Sequence, residues 1–354
     1  MDNPARLAVR RLRKIGPYSE TPNDVFPYVV PGVAETLERF EPLRRRLVPR
    51  QSVAQLNHSV IPNEMEQHQL CPLCGADGVR VLYDRSHSKY QYKAGRCAEC
   101  SLLYRVPAIK VTRVPDLYNT GSYSAFLDGN YRAGRRSRYI RTMNTYGGFF
   151  DDGAGRRLLD FGSGTGVFVE LALERGFDAY GVDLAPDAVD VANERLGSQR
   201  TWWGDPLDVP ELRDQKFDII TLWSVLAHFA DPLEQLSKLR SLLVPGGVLF
   251  IYTVNAQSLE LKAYRNGWNC FTRNHLMFWE PATLAPMLRR AGFGGVAFRS
   301  FYPAAIELDR WTHSDESRQR VIDVVDRYQN GNMMRAAAIN GQPEGSGLAD
   351  AVKL

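Results

Sequence analysis

Three glycines at alternate positions follow an apolar run in LLDFGSGTG, residues 158–166. Gly162, Gly164 and Gly166 allow a ligand to approach the backbone closely, and a helix beginning after them would favour a carboxylate or phosphate at its N-terminus. Asp160 stands two residues before the first glycine. The spacing GxGxG differs from the dinucleotide fingerprint GxGxxG. The loop is therefore predicted to bind a nucleotide-like ligand. Motifs further along the chain indicate which ligand this is.

Four of the five cysteines form two CxxC pairs, CPLC and CAEC, separated by 22 residues. Each pair supplies two thiolates from one tight turn, and two pairs complete a tetrahedron around Zn²⁺. The intervening stretch alternates apolar and polar residues in two short segments, as a hairpin does. Four thiolates close the coordination sphere, so we expect a structural zinc ribbon, with redox or disulfide pairing as the alternative. The predicted ligands are Cys71, Cys74, Cys97 and Cys100.

Strand-like and helix-like segments alternate from about residue 155. RRLLDF, FDAYGVDL, RTWW, FDIITLW and VLFIYTV have the pattern of strands, and the segments between them have that of helices. PLEQLSKLRSLLVPGG is interpreted as a helix that its glycines terminate. This alternation predicts a parallel sheet with helices on both faces, which binds ligands at the carboxyl ends of its strands.

Four motifs occur in order and at similar intervals to those of one enzyme family. DFGSGTG, then GVDL, then Gly204-Asp205, then LVPGGVLFI resemble the class I S-adenosylmethionine-dependent methyltransferases over about residues 150–300. The resemblance implies an α/β fold, a Rossmann-like seven-stranded methyltransferase sheet with helices on both faces. It also implies an enzyme that uses S-adenosyl-L-methionine (SAM).

The resemblance assigns a role to each motif. Asp160 and the three glycines would hold the methionine part of SAM. Asp183 would accept hydrogen bonds from the ribose hydroxyls, although it also stands where a helix cap is expected. Asp205 would accept a hydrogen bond from the adenine amino group, with Trp202 or Trp203 near the ring. Trp223 lies in the stretch LWSVLAHFADP, which lines the pocket next to the sulfonium in this family, and it would also contact the cofactor.

Two histidines are candidate general bases. His228 lies in the stretch that follows the fourth strand, and His275 lies in NHLMFW, which resembles the family's region after the fifth strand. A neutral imidazole could accept a proton from the substrate. For His228, a packed or capping role is an equally good interpretation of the sequence.

A CxxC…CxxC ribbon followed directly by such a domain is similar to bacterial zinc-ribbon methyltransferases of sugar and natural-product pathways. This resemblance implies methyl transfer to O, N or C of a small molecule: a sugar, a nucleotide-linked sugar or a natural-product intermediate. We expect the chain to depart from that group in two ways, a long extension before the ribbon and the absence of a further α/β domain after the methyltransferase core. Two alternatives remain: an RNA methyltransferase that uses the ribbon to bind RNA, and a catalytically silent binding module.

Charge and composition indicate which classes of binding partner the protein is expected to have. The chain has 44 basic and 40 acidic residues, and a net charge of +4 does not favour nucleic acid. YRAGRRSRYIR, residues 131–141, carries five arginines and no acid. It is either a solvated helix face or a patch that meets a phosphate-bearing substrate. The sequence contains no apolar run long enough to span a membrane and no secretory leader, so we expect a cytoplasmic protein.

These patterns divide the chain into five parts. We expect a partly helical N-terminal extension, the zinc ribbon, a connector with an arginine-rich helix that covers the cofactor site, the methyltransferase domain, and a C-terminal helix with a loose tail. Their predicted bounds are 1–68, 69–107, 108–154, 155–302 and 303–354.

Overall fold

The computed structural model contains two β-sheets, one of five strands and one of seven. The described residues are 51–52, 70–84, 93–109, 114, 129–301 and 314–341. Apart from residues 51–52, the predicted extension over 1–68 lies outside them, as do residues 110–113 and 115–128 of the predicted connector over 108–154.

The smaller sheet contains the four clustered cysteines. Its order is β1-β2-β3-β4-β10, with every neighbouring pair antiparallel. The hairpin predicted between the two CxxC pairs is present as β2 and β3. The last strand, β10, comes from far along the chain, so this sheet joins the ribbon to the larger domain. The strands are β1 Gln51–Ser52, β2 Gly78–Asp84, β3 Lys93–Cys97, β4 Leu103–Val106 and β10 Met277–Phe278.

The larger sheet has seven strands in the order β11-β12-β9-β8-β5-β6-β7. The five strands from β9 to β7 are parallel, whereas β12 runs antiparallel between β9 and β11. The strand order reverses between β5 and β8, which is where parallel sheets bind ligands. The strands are β5 Arg157–Phe161, β6 Asp178–Asp183, β7 Thr201–Trp203, β8 Phe217–Trp223, β9 Leu243–Val254, β11 Val296–Phe301 and β12 Met333–Ile339.

Helices cover both faces of this sheet. Apolar side chains of α1, α2 and α3 bury one face, and those of α5 and α7 bury the other. Successive residues of β5, Leu158 and Leu159, lie in the two opposite apolar layers, as the pleat of a strand requires. The helices are α1 Gly129–Thr145, α2 Gly147–Phe150, α3 Val167–Glu174, α4 Pro186–Leu196, α5 Pro232–Leu242, α6 Leu259–Tyr264, α7 Pro281–Arg290 and α8 Asp315–Tyr328.

The predicted fold class is confirmed, with two corrections to its elements. The segment LVPGG was interpreted as the end of a helix, but α5 ends at Leu242 and these residues begin the long strand β9. The predicted domain boundary at residue 302 separates β12 from its sheet, although β12 lies between β9 and β11. The helix expected near 315–329 is present as α8, and the strand after it was not predicted.

None of the described helices is both long and apolar enough to cross a membrane.

Candidate active site and metal centre

The glycine loop links β5 to α3 in left-handed backbone. The φ angles of Gly162, Gly164 and Gly166 are 77°, 52° and 70°, a region that only glycine adopts without strain. A Cβ on Gly162 would also collide with Val225, which lies two residues after the end of β8. The loop therefore needs glycine for its conformation and for its close approach to the neighbouring strand end.

Asp183 ties the end of β6 to this loop. Its Oδ2 accepts a hydrogen bond from the Gly164 backbone N–H at 2.7 Å, and its Oδ1 accepts one from Ala185 N–H at 2.9 Å. Asp183 as a whole is 6% exposed. Each carboxylate oxygen has two lone pairs and can accept more than one hydrogen bond. The bond to Ala185 N–H also gives Asp183 the local role of a turn residue, next to the start of α4.

Asp160 is buried at the carboxyl end of β5. Its Oδ1 accepts a hydrogen bond from the Thr221 hydroxyl at 2.7 Å. Burial raises the pKa of Asp160 to about 7, with the Asp183 charge raising it further, while the Thr221 bond and the charge of Arg135 act in the opposite direction. Asp160 is therefore poised to gain or lose a proton near neutral pH.

Asp205 and Trp203 stand at the end of β7, beside Asp183. Asp205 Oδ1 accepts a hydrogen bond from Leu207 N–H at 2.9 Å. Trp203 is 63% exposed, and its indole N–H donates to the Leu184 carbonyl at 3.1 Å. An exposed, oriented indole ring at the carboxyl edge of a parallel sheet is suited to stacking on a planar ligand.

Trp223, predicted as a cofactor-binding residue, is buried in an aromatic cluster. Its ring lies 4.7 Å from that of Phe168 and 4.9 Å from that of Tyr139, on helices α3 and α1. Its indole N–H finds no acceptor among the described residues. The side chain therefore packs α1 and α3 onto the end of β8.

The two predicted histidines lie close together although they are 47 positions apart in the sequence. Their rings are 5.1 Å apart, with His228 at the end of a short 3₁₀ turn, Leu226–His228, and His275 just before β10. Nδ1 of His275 lies 2.6 Å from the Cys270 carbonyl oxygen. A carbonyl only accepts, so Nδ1 carries the proton and Nε2 is left as the basic atom.

The surroundings keep both imidazoles neutral. Burial, and to a lesser extent the neighbouring His275, lower the pKa of His228 to about 3. Burial also lowers the pKa of His275, which its bond to the Cys270 carbonyl partly offsets. At neutral pH the pair therefore has lone pairs available to accept a proton.

The four predicted metal ligands converge at one point. Their sulfur atoms lie within 4.8 Å of one another, with Cys71 and Cys100 at 3.4 Å and Cys74 and Cys97 at 3.5 Å. Sulfurs at the corners of a tetrahedron around zinc are about 3.8 Å apart, given a Zn–S distance of about 2.3 Å. The cysteines are free thiols rather than disulfides. The cluster fits a closed Cys₄ zinc site.

The zinc ribbon is hydrogen-bonded to the segment that carries His275. Sequence analysis did not predict this contact. β4 pairs with β10 immediately after His275, and Arg105 N–H donates to the Leu276 carbonyl at 2.8 Å. The Arg105 guanidinium donates to the Arg273 carbonyl at 2.8 Å. Arg105 is thus hydrogen-bonded to the chain on both sides of His275. The residues around Arg105 in the sequence give no indication of this long-range contact.

A second contact fixes the same interface. The Arg96 guanidinium makes two hydrogen bonds to the Glu280 carboxylate, at 2.9 and 3.2 Å. This geometry is the strong, paired form of the arginine–carboxylate interaction. Glu280 caps α7, so the bond also attaches that helix to the ribbon.

The arginine-rich helix is only partly free to meet a ligand. Arg132 pairs with Glu170 at 3.0 Å, and Arg136 pairs with Glu174 on the same helix, α3, at 2.6 Å. These two of the five arginines attach α1 to α3. Of the two interpretations of this stretch, the one in which it faces a phosphate therefore does not apply to Arg132 and Arg136.

A family model described as a methyltransferase domain matches residues 131–297. This confirms the family resemblance drawn from the glycine loop and the three motifs after it. The match begins in α1 and ends in β11, so it includes the glycine loop, Asp183 and both histidines of the candidate site.

Curated relatives match part of this domain. The chain is 31% identical to the ubiquinone biosynthesis O-methyltransferase of Haemophilus ducreyi over 137 residues, which is 36% of this chain and 54% of that protein. It is 34% identical to the enzyme of the same name from Methylococcus capsulatus over 115 residues, 31% of this chain and 47% of that protein. The chain spans about half the length of these relatives.

Solved structures similar to this chain include a SAM-dependent methyltransferase from Archaeoglobus fulgidus. It is 23% identical, with a TM-score of 0.44, covering 59% of this chain and 94% of that one. Another is the magnesium protoporphyrin IX methyltransferase of Synechocystis PCC 6803, at 16% identity and a TM-score of 0.43. That match covers 64% of this chain and 98% of the other.

Proposed function

We propose that the chain is a SAM-dependent methyltransferase that acts on a small molecule. The observation that carries the proposal is the left-handed turn of Gly162, Gly164 and Gly166, which Asp183 fastens to the end of the next strand within a matched methyltransferase domain. The relatives' name specifies an oxygen acceptor. A sugar, a nucleotide-linked sugar or a natural-product intermediate remains the proposed class of acceptor, with O, N or C as the atom methylated.

The residues of the chain would divide the work of binding the cofactor. Asp160 and the glycine loop would hold its amino-acid part, Asp183 its ribose hydroxyls and Asp205 its adenine amino group. The exposed Trp203 indole is suited to stack on the adenine. The indole N–H of Trp223, which has no acceptor among the described residues, is available to the cofactor or the acceptor at the end of β8.

His275 is the better candidate base of the pair. A lone pair of the acceptor atom attacks the methyl carbon, the carbon–sulfur bond breaks, and its electrons stay on sulfur as a neutral thioether. The acceptor's proton passes to Nε2 of His275, which the Cys270 carbonyl keeps unprotonated and oriented. His228, whose pKa is about 3, binds a proton too weakly for this task. It would instead keep the neighbouring pocket neutral.

We also propose that the four cysteines bind a structural zinc ion. The sulfur separations and the closed set of four thiolates support this role. The ion would supply no chemistry to the transfer, since it has no open coordination position. Its effect would be to fold the ribbon, and through β4 to hold the segment that contains His275.

Two measurements test the proposal together. Calorimetry should show that S-adenosylhomocysteine (SAH) binds the purified chain, and Asp183→Asn should weaken that binding. Transfer of labelled methyl from SAM into a fractionated cell extract should label the small-molecule or sugar fraction. Label in RNA would support the RNA alternative instead, and the absence of SAH binding would support the silent binding module.

A further inference from the structure

Ser224 has a backbone conformation that its place in the fold does not explain. Its φ is 62°, in the left-handed region, which costs free energy for a residue with a Cβ. Three other described non-glycine residues have positive φ. Arg265 and Gln329 directly follow α6 and α8, where a left-handed residue is common, and Ser101 follows the second CxxC pair. Ser224 instead follows the strand β8. Strain of this kind points to a functional constraint.

The chain at Ser224 passes from the glycine loop to the histidine pair. The Ser224 N–H donates to the Tyr252 carbonyl at 2.8 Å, which extends the pairing of β8 with β9 by one residue. The next residue, Val225, packs directly on Gly162. The Val225 carbonyl accepts a hydrogen bond from the His228 N–H at 2.8 Å, so one short turn leads from here to the histidines. Ser224 therefore lies between the proposed cofactor loop and the proposed base.

The side chain of Ser224 is half-buried and available to a ligand. Among the described residues, its hydroxyl has no hydrogen-bond partner. Thr221, three residues earlier, is different, because its hydroxyl donates to Asp160 at 2.7 Å. Ser224 also lies where the strand order reverses between β5 and β8, the place where parallel sheets bind ligands. Its backbone is thus fixed at the site, while the hydroxyl can still donate one hydrogen bond and accept others.

We propose that the Ser224 hydroxyl donates a hydrogen bond to the acceptor atom, and that this atom is an oxygen. The proposal rests on the proposed function for the reaction, and it adds a specificity-determining residue and the atom methylated. Glycine would adopt the left-handed conformation without steric cost. The serine side chain is therefore present at a cost in stability, which a contact with the acceptor explains.

The choice of oxygen follows from counting lone pairs. A hydroxyl oxygen has two. One attacks the methyl carbon, so the oxygen–carbon bond forms as the carbon–sulfur bond breaks with its electrons left on sulfur. The other accepts the hydrogen bond from Ser224, and the proton passes to Nε2 of His275. These directions together fix the orientation of the acceptor. An amine nitrogen has a single lone pair, so it could not accept from Ser224 and attack carbon at once.

The strain gives a test that needs no acceptor. Ser224→Gly removes both the hydroxyl and the strain, whereas Ser224→Ala removes the hydroxyl and keeps the strain. We expect the glycine variant to unfold at a higher temperature than the alanine variant, by about 1–3 °C. Ser237, exposed in the middle of α5, is the matched control. There alanine should be the more stable replacement, because glycine disfavours a helix.

Methyl transfer tests the contact itself. The assay uses labelled SAM and the extract fraction that the unsubstituted chain labels, at low acceptor concentration so that the rate reports kcat/KM. Ser224→Gly and Ser224→Ala should each lower kcat/KM by about tenfold, the effect of losing one hydrogen bond. Calorimetry should give unchanged SAH affinity in both. The two Ser237 variants should keep the full rate, and mass spectrometry should find the labelled methyl on oxygen.

Four results would overturn the proposal. Unchanged kcat/KM in both Ser224 variants would mean that the hydroxyl does not touch the acceptor. Full activity in Ser224→Gly with loss only in Ser224→Ala would mean that the residue acts through stability alone. A methyl group on nitrogen would contradict the choice of oxygen, and a glycine variant less stable than the alanine variant would remove the strain. Failure of the proposed function looks different: the unsubstituted chain itself would bind no SAH or label no fraction.

Discussion

His275 carries the clearest prediction at the scale of single residues. Its Nδ1 is held by the Cys270 carbonyl, so Nε2 is the atom that would take the proton. Replacing a general base costs about 100-fold or more in rate. We expect His275→Gln to lower kcat by that order with SAH affinity unchanged, and His228→Gln to change kcat far less. Equal losses in the two variants would contradict the assignment of His275 as the base.

The same histidine predicts a pH dependence. Burial lowers the pKa of His275 below its ordinary value near 6.5, so the neutral base persists as the pH falls through that value. We therefore expect kcat in the folded enzyme to stay constant from pH 8 to below pH 6.5. A steady-state pH profile checks this, with folding at each pH monitored by circular dichroism. A fall in kcat centred on pH 6.5 would contradict the prediction.

Asp160 should make the folded chain less stable as the pH rises. A carboxyl whose pKa is lowered by folding has the opposite effect. Its folded pKa is about 7, against about 3.9 in the unfolded chain, so between these values only the folded state holds the proton. This contribution is fully present below about pH 4 and is lost as the pH rises through 7. Asp160→Asn keeps an oxygen for Thr221 and removes the charge. It should raise the stability of the ligand-free chain by on the order of 2 kcal/mol at pH 8, and by much less at pH 5.

Thermal unfolding at the two pH values measures this effect. Asp214→Asn is the control, because the Asp214 side chain is 90% exposed and its loss should alter stability little at either pH. A gain from Asp160→Asn that is the same at pH 5 and pH 8 would show that the carboxyl does not titrate in this interval.

At the scale of elements, Arg105 links the ribbon to the chain around His275. Its guanidinium donates a hydrogen bond to the Arg273 carbonyl, and its backbone N–H donates one to the Leu276 carbonyl. Arg105→Met keeps the apolar stem and the backbone bond but removes the side-chain bond. We expect about a tenfold lower kcat with unchanged SAH affinity, because one charge-assisted hydrogen bond positions the base. Arg290→Met, on α7, is the control, and an unchanged kcat in Arg105→Met would contradict the positioning role.

Predictions from the sequence succeeded where a few neighbouring residues determine the structure. The glycine turn, the four cysteines and the strands β5 to β8 all follow from local spacing and periodicity. The sequence did not reveal β12, because its run MMRAAAI lacks the pattern of a strand and its partners β9 and β11 lie at least 30 residues away. The two residues of β10 are too few to show any periodicity.

In the candidate site, too, the residue types could be predicted from the sequence, whereas the long-range contacts could not. Resemblance supplied Asp160, Asp183 and the two histidines, and the structure places the histidine rings 5.1 Å apart. The contacts that orient these groups, from Thr221, Cys270 and Arg105, join residues that are distant in sequence or act through backbone carbonyls. Neither kind of contact has a signature in residue type or spacing, so only the folded chain reveals them.

At the scale of the whole molecule, the ribbon and the methyltransferase domain should unfold together. β10 belongs to the ribbon sheet yet comes from the chain of the larger domain, and Arg96 is bonded twice to Glu280 at the start of α7. A bound structural zinc stabilises only the folded ribbon, so its removal lowers the stability of whatever unfolds with the ribbon. We expect a chelator to move one cooperative thermal transition of the whole chain to lower temperature, by a free energy of several kcal/mol.

Calorimetric scans with and without chelator measure this coupling, and SAH can report on the larger domain within the same scan. If the two parts are coupled, SAH should raise the single transition of the zinc-loaded chain, and the chelator should lower that same transition. The double variant Cys71→Ser/Cys100→Ser is the control, because it lacks two ligands and should show no further shift with chelator. Two separate transitions, with the SAH-sensitive one indifferent to chelator, would show that the ribbon folds independently. The bonds through β10 and Glu280 would then transmit nothing from the metal to the domain that carries His275.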